Sequence, residues 1–244
     1  MQKKIVKKSA MYLLIFIGLY LVIGYLLHLV IFPEKRPDVS SYFKPGQEFY
    51  SKAEGFRQKI AKQEKGFVHG HLEIEPFAGG PPKHIHDGFD ETFEIENGEL
   101  TVWVGGEIKK LRPGQVLRIP KGTPHKPYNE TADTIRLKGS FAFPEKFAFQ
   151  LPQVYGFMDN NPDFGKSSKT IFQMALFQGA GFDSYLADGP PVAVQKAMGF
   201  VVSPLARLLG FRSYYVEYDI QKKLTGSHRS DALSEVGQSK KLSR

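Results

Sequence analysis

Four side chains that can bind metals lie close together in this sequence, and they are His84, His86, Glu91 and His125. His84 and His86 are two residues apart, so in a β-strand both imidazoles point to the same face. Glu91 shares an alternating row with Phe93 and Ile95, which predicts that its carboxylate faces a core. Because a buried carboxylate is costly unless it is paired or binds a cation, this pattern predicts one shared site.

The chemistry of these four groups narrows the choice of metal. Three imidazoles and one carboxylate suit Fe, Mn, Ni, Cu or Zn rather than Ca or Mg. We therefore predict a divalent transition metal as the cofactor, with all four residues as its ligands. The other interpretation is that they are core polar residues that satisfy one another. The sequence identifies no separate catalytic residue and no organic cofactor site.

The residues around these four predict short strands joined by tight turns. Asn97-Gly98 is a strong hairpin signal between two alternating segments. Residues 116–120 form a further predicted strand, and a Pro-x-Gly turn at 120–122 follows it, directly before His125.

Two motifs in this stretch resemble those of the cupin superfamily, and of single-domain, bacterial-type cupins in particular. The first has the form H-x-H-x4-E-x6-G and runs from His84 to Gly98. The second has the form G-x5-P-x-G-x2-H-x3-N and runs from Gly114 to Asn129. The resemblance implies a jelly-roll-like β-barrel of six to eight strands, with the four ligands inside, over roughly residues 42–144.

This sequence departs from the family pattern at one position. The glycine that usually stands ahead of the first histidine is displaced, since Ala78 occupies that position and Gly79 and Gly80 follow it. This departure affects the shape of the loop rather than the set of ligands.

The N-terminal segment predicts a membrane anchor. Residues 1–10 form a short basic tail with four lysines, and residues 11–32 contain one ionisable side chain, His28. As a helix this run spans about 33 Å, enough for a bilayer core of about 30 Å. The lysine bias predicts a single pass with the N-terminus cytoplasmic and the barrel on the outer, periplasmic or extracellular, side. A cleaved signal peptide and a buried core helix are the alternatives.

The rest of the chain divides by composition, and we predict a mainly β fold with a helical extension. A linker covers 33–41, the cupin barrel 42–150, the helical extension 151–222 and a disordered tail 223–244. Residues 169–178 predict a short helix.

A second apolar run, residues 192–211, predicts a pair of amphipathic helices that meet at Pro204. Lys196 and Arg207 share its polar face because they are about three turns apart. The run either packs on the barrel or at a dimer contact, or it lies on the bilayer beside the anchor. A second membrane span is disfavoured by Lys196, Pro204 and Arg207.

Composition limits the possible partners. The chain has no cysteine, which excludes disulfides and thiolate metal sites, and its net charge is +8. No basic stripe is interleaved with aromatic residues, so we expect no nucleic-acid partner. A second H-x-H pair, His69 and His71, shares its row with Glu73 and Glu75, which indicates a solvated face rather than a ligand site.

These observations predict a membrane-anchored, metal-dependent enzyme of dioxygenase, isomerase or lyase type that acts on a small polar molecule. Candidate substrate contacts are Arg118, Lys83 and Tyr128. The alternatives are a non-catalytic barrel that binds a sugar or carboxylate and a metal-free structural barrel. The expected partners are a lipid bilayer, a small ligand and, by analogy with cupins that pair through barrel edges, a second copy in a homodimer.

Overall fold

The computed structural model describes residues 2–31, 33–34 and 36–219, and the predicted tail at 223–244 lies outside them. The helices are α1 (Gln2–Val30), α2 (Glu145–Asn160), α3 (Lys169–Gly179) and α4 (Val192–Leu208). The strands are β1 (Glu48–Ser51), β2 (Phe56–Glu64), β3 (Phe67–Ile74), β4 (His84–Ile85), β5 (Glu91–Asn97), β6 (Leu100–Val104), β7 (Glu107–Leu111), β8 (Val116–Ile119), β9 (His125–Tyr128), β10 (Ile135–Pro144) and β11 (Tyr185–Leu186). Two 3₁₀ helices cover Val39–Ser41 and Val216–Tyr218.

The strands form two antiparallel sheets. One has the order β1-β2-β3-β10-β5-β8, and the other has the order β11-β4-β9-β6-β7. The core between them comes from the alternating rows that the sequence predicts. In β3, Val68, Leu72 and Ile74 are buried, and in β5 Phe93 and Ile95 are almost fully buried. The prediction that Glu91 lies in the core-facing row of β5 is therefore confirmed.

The Asn97-Gly98 turn does not join a hairpin, which corrects the prediction. The turn exists, and Gly98 has a φ of 79°. However, β5 pairs with β8 and β10, whereas β6 pairs with β7 and β9, so the turn carries the chain from one sheet to the other. Asn97 explains the difference, because its side chain accepts a hydrogen bond from the Arg136 backbone N–H (2.7 Å) and donates one to the Thr134 carbonyl oxygen (3.3 Å). These bonds tie the turn to β10.

The C-terminal extension packs against the barrel and adds a strand to it. Helix α2 begins at Glu145, directly after β10, and the predicted helix at 169–178 is present as α3. Strand β11 pairs antiparallel with β4, covers the edge that β4 would otherwise expose, and becomes the edge strand of the five-stranded sheet. The predicted pair of helices at Pro204 is a single helix, α4, with Pro204 inside it. Hydroxyl groups of the neighbouring helix α1 bond to the backbone just before Pro204, which allows the helix to continue.

Helix α1 is long and apolar enough, over Ile5–Val30, to cross a membrane. It extends further toward the N-terminus than the apolar run, since residues of the predicted basic tail are also helical. Most of its apolar side chains are exposed. The segment after it is anchored to the C-terminal part of the chain, because the Glu34 carboxylate accepts hydrogen bonds from both the backbone N–H (2.7 Å) and the hydroxyl of Ser213.

Gly80 is the position in the β3–β4 loop at which a side chain cannot be placed. Its φ is +64°, and a Cβ there would lie 2.0 Å from the Pro127 carbonyl oxygen in β9. A Cβ added to the neighbouring Gly79 would meet no atom of the described residues within 4 Å, and the φ of Gly79 is not positive. The glycine that the first motif usually has at the position of Ala78 is therefore needed two residues later, at Gly80, where the loop passes close to β9.

We expect Gly80→Ala to destabilise the protein by roughly 2 kcal/mol, because the substitution combines backbone strain with a clash in β9. Gly79→Ala is the matched control and should leave stability almost unchanged. Thermal unfolding of the full-length protein in detergent measures both. Equal melting temperatures for the two variants would contradict the close approach of Gly80 to β9.

Candidate metal centre

The barrel brings the four predicted ligands together from four neighbouring places. His84 in β4 is paired with His125 in β9 across the five-stranded sheet. His86 follows β4, and Glu91 begins β5. The three histidines are buried, and the Glu91 side chain is 19% exposed. One ligand atom from each residue lies within 4.8 Å of all the others, so the cluster could hold a metal ion.

The inner atoms of the cluster are the Nε2 nitrogens and a Glu91 oxygen. Nε2 of His84 lies 3.2 Å from Nε2 of His86. Nε2 of His125 lies 2.8 Å from Oε2 of Glu91, and Nε2 of His86 lies 3.7 Å from the same oxygen. Four donor atoms of the kinds that transition metals prefer thus face one small volume.

The outer nitrogens show that these residues fit a metal. Nδ1 of His84 lies 2.9 Å from the Pro82 carbonyl oxygen, Nδ1 of His125 lies 2.9 Å from the Thr123 carbonyl oxygen, and Nδ1 of His86 lies 2.5 Å from the Asp183 carbonyl oxygen. A carbonyl oxygen can only accept, so each Nδ1 donates its proton outward. In a neutral imidazole the Nε2 then carries a lone pair, and two such lone pairs face each other between His84 and His86. A cation between them removes this repulsion, and this arrangement is how metal-binding histidines are usually held.

The electrostatics of the cluster keep His84, His86 and Glu91 in the forms that bind metal, whereas His125 shares with Glu91 a proton that a metal must displace. Burial, together with the neighbouring His86 and His125, lowers the pKa of His84 to about 3, and burial also lowers the pKa of His86. Burial acts to raise the pKa of Glu91, but the hydrogen bond with His125 and the charges of the histidines outweigh it and lower that pKa to about 2. Burial acts to lower the pKa of His125, but Glu91 outweighs burial and raises that pKa. Neutral imidazoles and an ionised carboxylate are the metal-binding forms.

Asp183, from the extension, organises the loop after His86. Its carboxylate accepts hydrogen bonds from the backbone N–H groups of Asp87 (3.2 Å) and Gly88 (2.6 Å), while its carbonyl holds His86. On the other side of the site, Asp90 accepts from the Lys121 N–H (2.9 Å) and pairs with Arg118 (2.5 Å). The two aspartates thus fix the loops that carry His86 and Glu91. No local pattern in the sequence points to Asp183, because it lies 97 residues from His86.

A small cavity of about 60 Å³ adjoins the cluster, and His84, His86 and Glu91 line it. Its other walls are mostly apolar and aromatic, and they include residues of both the barrel and the extension. The apolar residues are Phe56, Leu72, Pro81, Phe93, Pro127, Phe143, Phe147, Leu151 and Phe182. This volume is well below the about 300–1,000 Å³ of pockets that hold small molecules.

Four further polar residues, Glu54, Gln58, Tyr155 and Ser184, line the same cavity. Glu54 is 7% exposed, and it lies in the turn before β2. Asp159 of α2 holds this turn by accepting from the backbone N–H of Ala53 (3.0 Å). Burial raises the pKa of Glu54 to about 7, although a hydrogen bond from Tyr155 opposes the rise. Gln58 in turn donates to the Tyr155 hydroxyl (3.3 Å).

The predicted substrate contacts lie outside the cavity. Among the described residues that line it, Arg118, Lys83 and Tyr128 are not present. Arg118 is exposed and paired with Asp90, and the Lys83 ammonium lies over the Trp103 ring at 4.3 Å. His69 and His71 lie on β3 and are not part of the described metal-binding cluster, in agreement with the prediction that they occupy a solvated face.

Comparison with known families agrees with this geometry. Residues 70–138 match the cupin domain family, a segment that contains all four clustered residues and both motifs. Together with the two antiparallel sheets, the match confirms the cupin fold that the motifs predict. The matched segment covers less than half of the chain. A comparison with curated proteins finds no match.

Several solved structures are similar to part of the chain. KdgF from a Halomonas species is 24% identical over 36% of this chain and 78% of that one, with a TM-score of 0.32. An RmlC-like cupin from Shewanella frigidimarina is 21% identical over 39% and 83%, with a TM-score of 0.34. A sugar phosphate isomerase of the cupin superfamily from Silicibacter pomeroyi is 18% identical over 44% and 74%, with a TM-score of 0.35. Similarities at this level carry no inference about activity.

We expect the full-length protein, purified in detergent without an affinity tag, to bind about one transition-metal ion per chain. His84→Ala combined with His86→Ala should reduce the metal content at least tenfold, because it removes half of the ligands. His69→Ala combined with His71→Ala removes the same residue types outside the cluster and should retain the metal. Elemental mass spectrometry measures all three proteins. Full metal content in the His84/His86 variant would contradict the assignment.

The raised pKa of Glu54 predicts how stability depends on pH. The folded protein holds this proton more tightly than the unfolded chain, so the stabilisation is complete below the ordinary pKa of 4.5 and is lost as pH rises through about 7. The loss is about 3 kcal/mol. Glu54→Gln should remove most of this pH dependence.

Melting temperatures at pH 5 and pH 8, recorded with a chelator present, test this prediction. The melting temperature at pH 5 minus that at pH 8 should be lower for Glu54→Gln than for the wild type, because the lowered pKa values of His84 and His86 act equally in both proteins. Glu96→Gln, at an exposed position, should behave like the wild type. An unchanged difference in Glu54→Gln would show that the carboxyl group is not stabilised in its protonated form.

Proposed function

We propose that this protein is a membrane-anchored, metal-dependent enzyme of the cupin type. Its reaction would remove a proton from, or add one to, a small polar substrate, as isomerases and lyases do. One observation carries the proposal. Three of the four clustered residues and a buried, readily protonated Glu54 line the same cavity. The reaction types that the sequence leaves open are dioxygenase, isomerase and lyase. Among these, isomerases and lyases are the types that use a positioned acid or base.

A divalent transition metal held by His84, His86, Glu91 and His125 would supply a Lewis acid for a substrate oxygen. The protein's own groups then serve proton transfer. Glu54 has a pKa of about 7, so it can hold or release a proton near neutral pH. Tyr155 hydrogen-bonds to Glu54, and Gln58 donates to Tyr155, so the carboxyl group has a fixed orientation.

The apolar walls of the cavity limit what can enter and exclude bulk water. Phe147 and Phe182 stack at a ring-centroid distance of 5.3 Å, and both line the cavity. The volume of about 60 Å³ is several-fold smaller than that of pockets that hold small molecules, about 300–1,000 Å³. A sugar- or carboxylate-sized substrate therefore requires these side chains to move. This movement would also expel water before proton transfer.

The proposed location follows from α1. We place α1 across a bilayer, with the N-terminus cytoplasmic and the barrel on the outer side, because its length and composition suit a membrane span and lysines flank its N-terminal end. The bilayer is then one partner and the small polar molecule is another. A homodimer stays a prediction.

A deuterium-exchange assay tests the proposed chemistry without knowledge of the product. The metal-loaded protein is incubated in D₂O with small hydroxy-aldehydes, hydroxy-ketones and 2-keto acids, and loss of C–H signals is followed by proton NMR. We expect exchange in at least one compound with the wild type. Glu54→Gln should bind metal normally and lose at least tenfold in exchange rate, since acid–base catalysis typically contributes about 10²–10⁴-fold.

Glu96→Gln is the matched control and should exchange at the wild-type rate. Oxygen uptake that does not depend on Glu54 would instead indicate dioxygenase chemistry. A compound that raises the melting temperature of the wild type without exchange would indicate the alternative function, a non-catalytic barrel that binds a small ligand. Equal exchange by Glu54→Gln and the wild type would exclude a proton-transfer role for this residue.

A further inference from the structure

Helix α4 crosses α1 inside the apolar stretch of α1. A Cβ on Gly24 would lie 2.5 Å from the Pro204 side chain, so α1 approaches α4 closely at this point. The Tyr25 and Phe200 rings stack at 5.0 Å. Gly24 and Tyr25 both belong to the segment Ile5–Val30 that is apolar enough to span a membrane. The contact lies about 9 Å from the end of α1 at Val30, since each helical residue rises about 1.5 Å.

Two tyrosines of α1 satisfy the backbone groups that Pro204 leaves unpaired. Proline has no N–H, so the carbonyl of Phe200, four residues earlier, loses its helical partner. The Tyr25 hydroxyl donates to this carbonyl oxygen (2.9 Å). The Tyr20 hydroxyl donates to the Val201 carbonyl oxygen (2.9 Å) and accepts from the Leu205 N–H (3.1 Å). In lipid, a proline-interrupted helix persists when a neighbouring helix supplies such partners in place of water.

The exposed side of α4 carries a row of apolar residues, which we name the apolar stripe. Its members are Val194, Met198, Val201, Leu205 and Leu208, and all five are exposed. At about 100° per residue they fall within an arc of about 80°. Two of them, Val201 and Leu205, also carry the backbone groups that bind Tyr20, so the stripe is continuous with the surface of α1.

The opposite side of α4 packs against α3, where a Cβ on Gly199 would lie 3.8 Å from Ala175, and its Lys196 reaches the barrel. The Lys196 ammonium donates to Asp87 (2.5 Å) and lies over the Tyr185 ring at 5.3 Å. Lys196 lies about 180° from the middle of the stripe around the helix. The stripe therefore points away from the barrel and Lys196 points toward it, while the Arg207 guanidinium lies over the Tyr25 ring of α1 at 5.5 Å. This is the arrangement of a helix that lies between a protein and a membrane surface.

We propose that α4 is a second membrane-contacting element, which lies in the bilayer interface beside α1 with its apolar stripe in lipid. The inference rests on the proposed membrane span of α1. A helix that packs against residues 20–25 of a spanning helix must itself lie at the depth of those residues. The crossing at Gly24 lies about 9 Å below the end of α1, within the depth of about 5–10 Å to which interfacial helices are buried, and the Tyr20 contact lies about 15 Å below it, so part of α4 reaches deeper. The barrel is then held close to the bilayer, with the extension between them.

Site-directed spin labelling of the full-length protein in phosphatidylcholine vesicles tests this inference. The chain has no cysteine, so single cysteines can be introduced without background. Labels at Met198 and Leu205 report on the stripe, a label at Leu14 reports on α1, and a label at Ile108 serves as the exposed barrel control. Oxygen partitions into lipid, whereas chromium oxalate stays in water and its inert metal does not transfer to histidines.

We expect the oxygen-to-chromium accessibility ratio to be several-fold higher at Met198, Leu205 and Leu14 than at Ile108. A high ratio at Leu14 with a ratio like that of Ile108 at both stripe positions would overturn the role of α4 and leave the anchor intact. A low ratio at Leu14 would remove the anchor and the inference together. Protection from both reagents at the stripe would mean that protein, such as a second copy of this chain, covers it, and would also overturn the proposal.

A second measurement needs no label on α4. Tyr20→Phe combined with Tyr25→Phe should lower the melting temperature of the vesicle-bound protein by several degrees, because lipid offers the freed backbone groups of α4 no other partner. Tyr12→Phe changes an exposed tyrosine nearer the start of α1 and is the matched control, with an expected wild-type melting temperature. A wild-type melting temperature in the double variant would mean that water reaches these backbone groups, which contradicts their placement in lipid.

Discussion

Three backbone carbonyl oxygens determine which nitrogen each histidine presents to the cavity. Each accepts the Nδ1 proton of one imidazole, so every Nε2 points inward as the nitrogen that can bind a metal. The rest of the site depends on this constraint, because lone pairs only 3.2 Å apart need a cation or a proton between them. Two of the carbonyls belong to the barrel, and the third, from Asp183, belongs to the extension. The barrel alone therefore does not hold all three histidines.

The sequence predicted the parts of the site that depend on local rules. Strand alternation placed Glu91 inward with Phe93 and Ile95, and the two-residue spacing placed His84 and His86 together. The helix at 169–178 and the apolar N-terminal helix were also predictable from local pattern. The metal itself, its identity and the membrane remain predictions.

The parts that the sequence did not predict depend on distant contacts. Glu54 stands between Ala53 and Gly55 in a turn and resembles a solvated residue, and only the packing of α2 against the barrel buries it. The Asn97-Gly98 dipeptide signals a turn, but β10 decides which sheet each flanking strand joins. Pro204 signals a helix break, and the hydroxyls of Tyr20 and Tyr25, about 180 residues away, allow the helix to continue.

The pairing of β11 with β4 also has a consequence for how the protein folds. The bond from His86 to Asp183 joins residues 97 positions apart, and α2 and α3 lie between the barrel strands and β11 along the chain. Contacts of such long sequence separation form slowly, since the chain must close a large loop first. We therefore expect the metal centre to be completed late in folding. A nascent chain that contains only the barrel strands would lack the bond that orients His86. Its affinity for the metal should therefore stay low until the extension packs against the barrel.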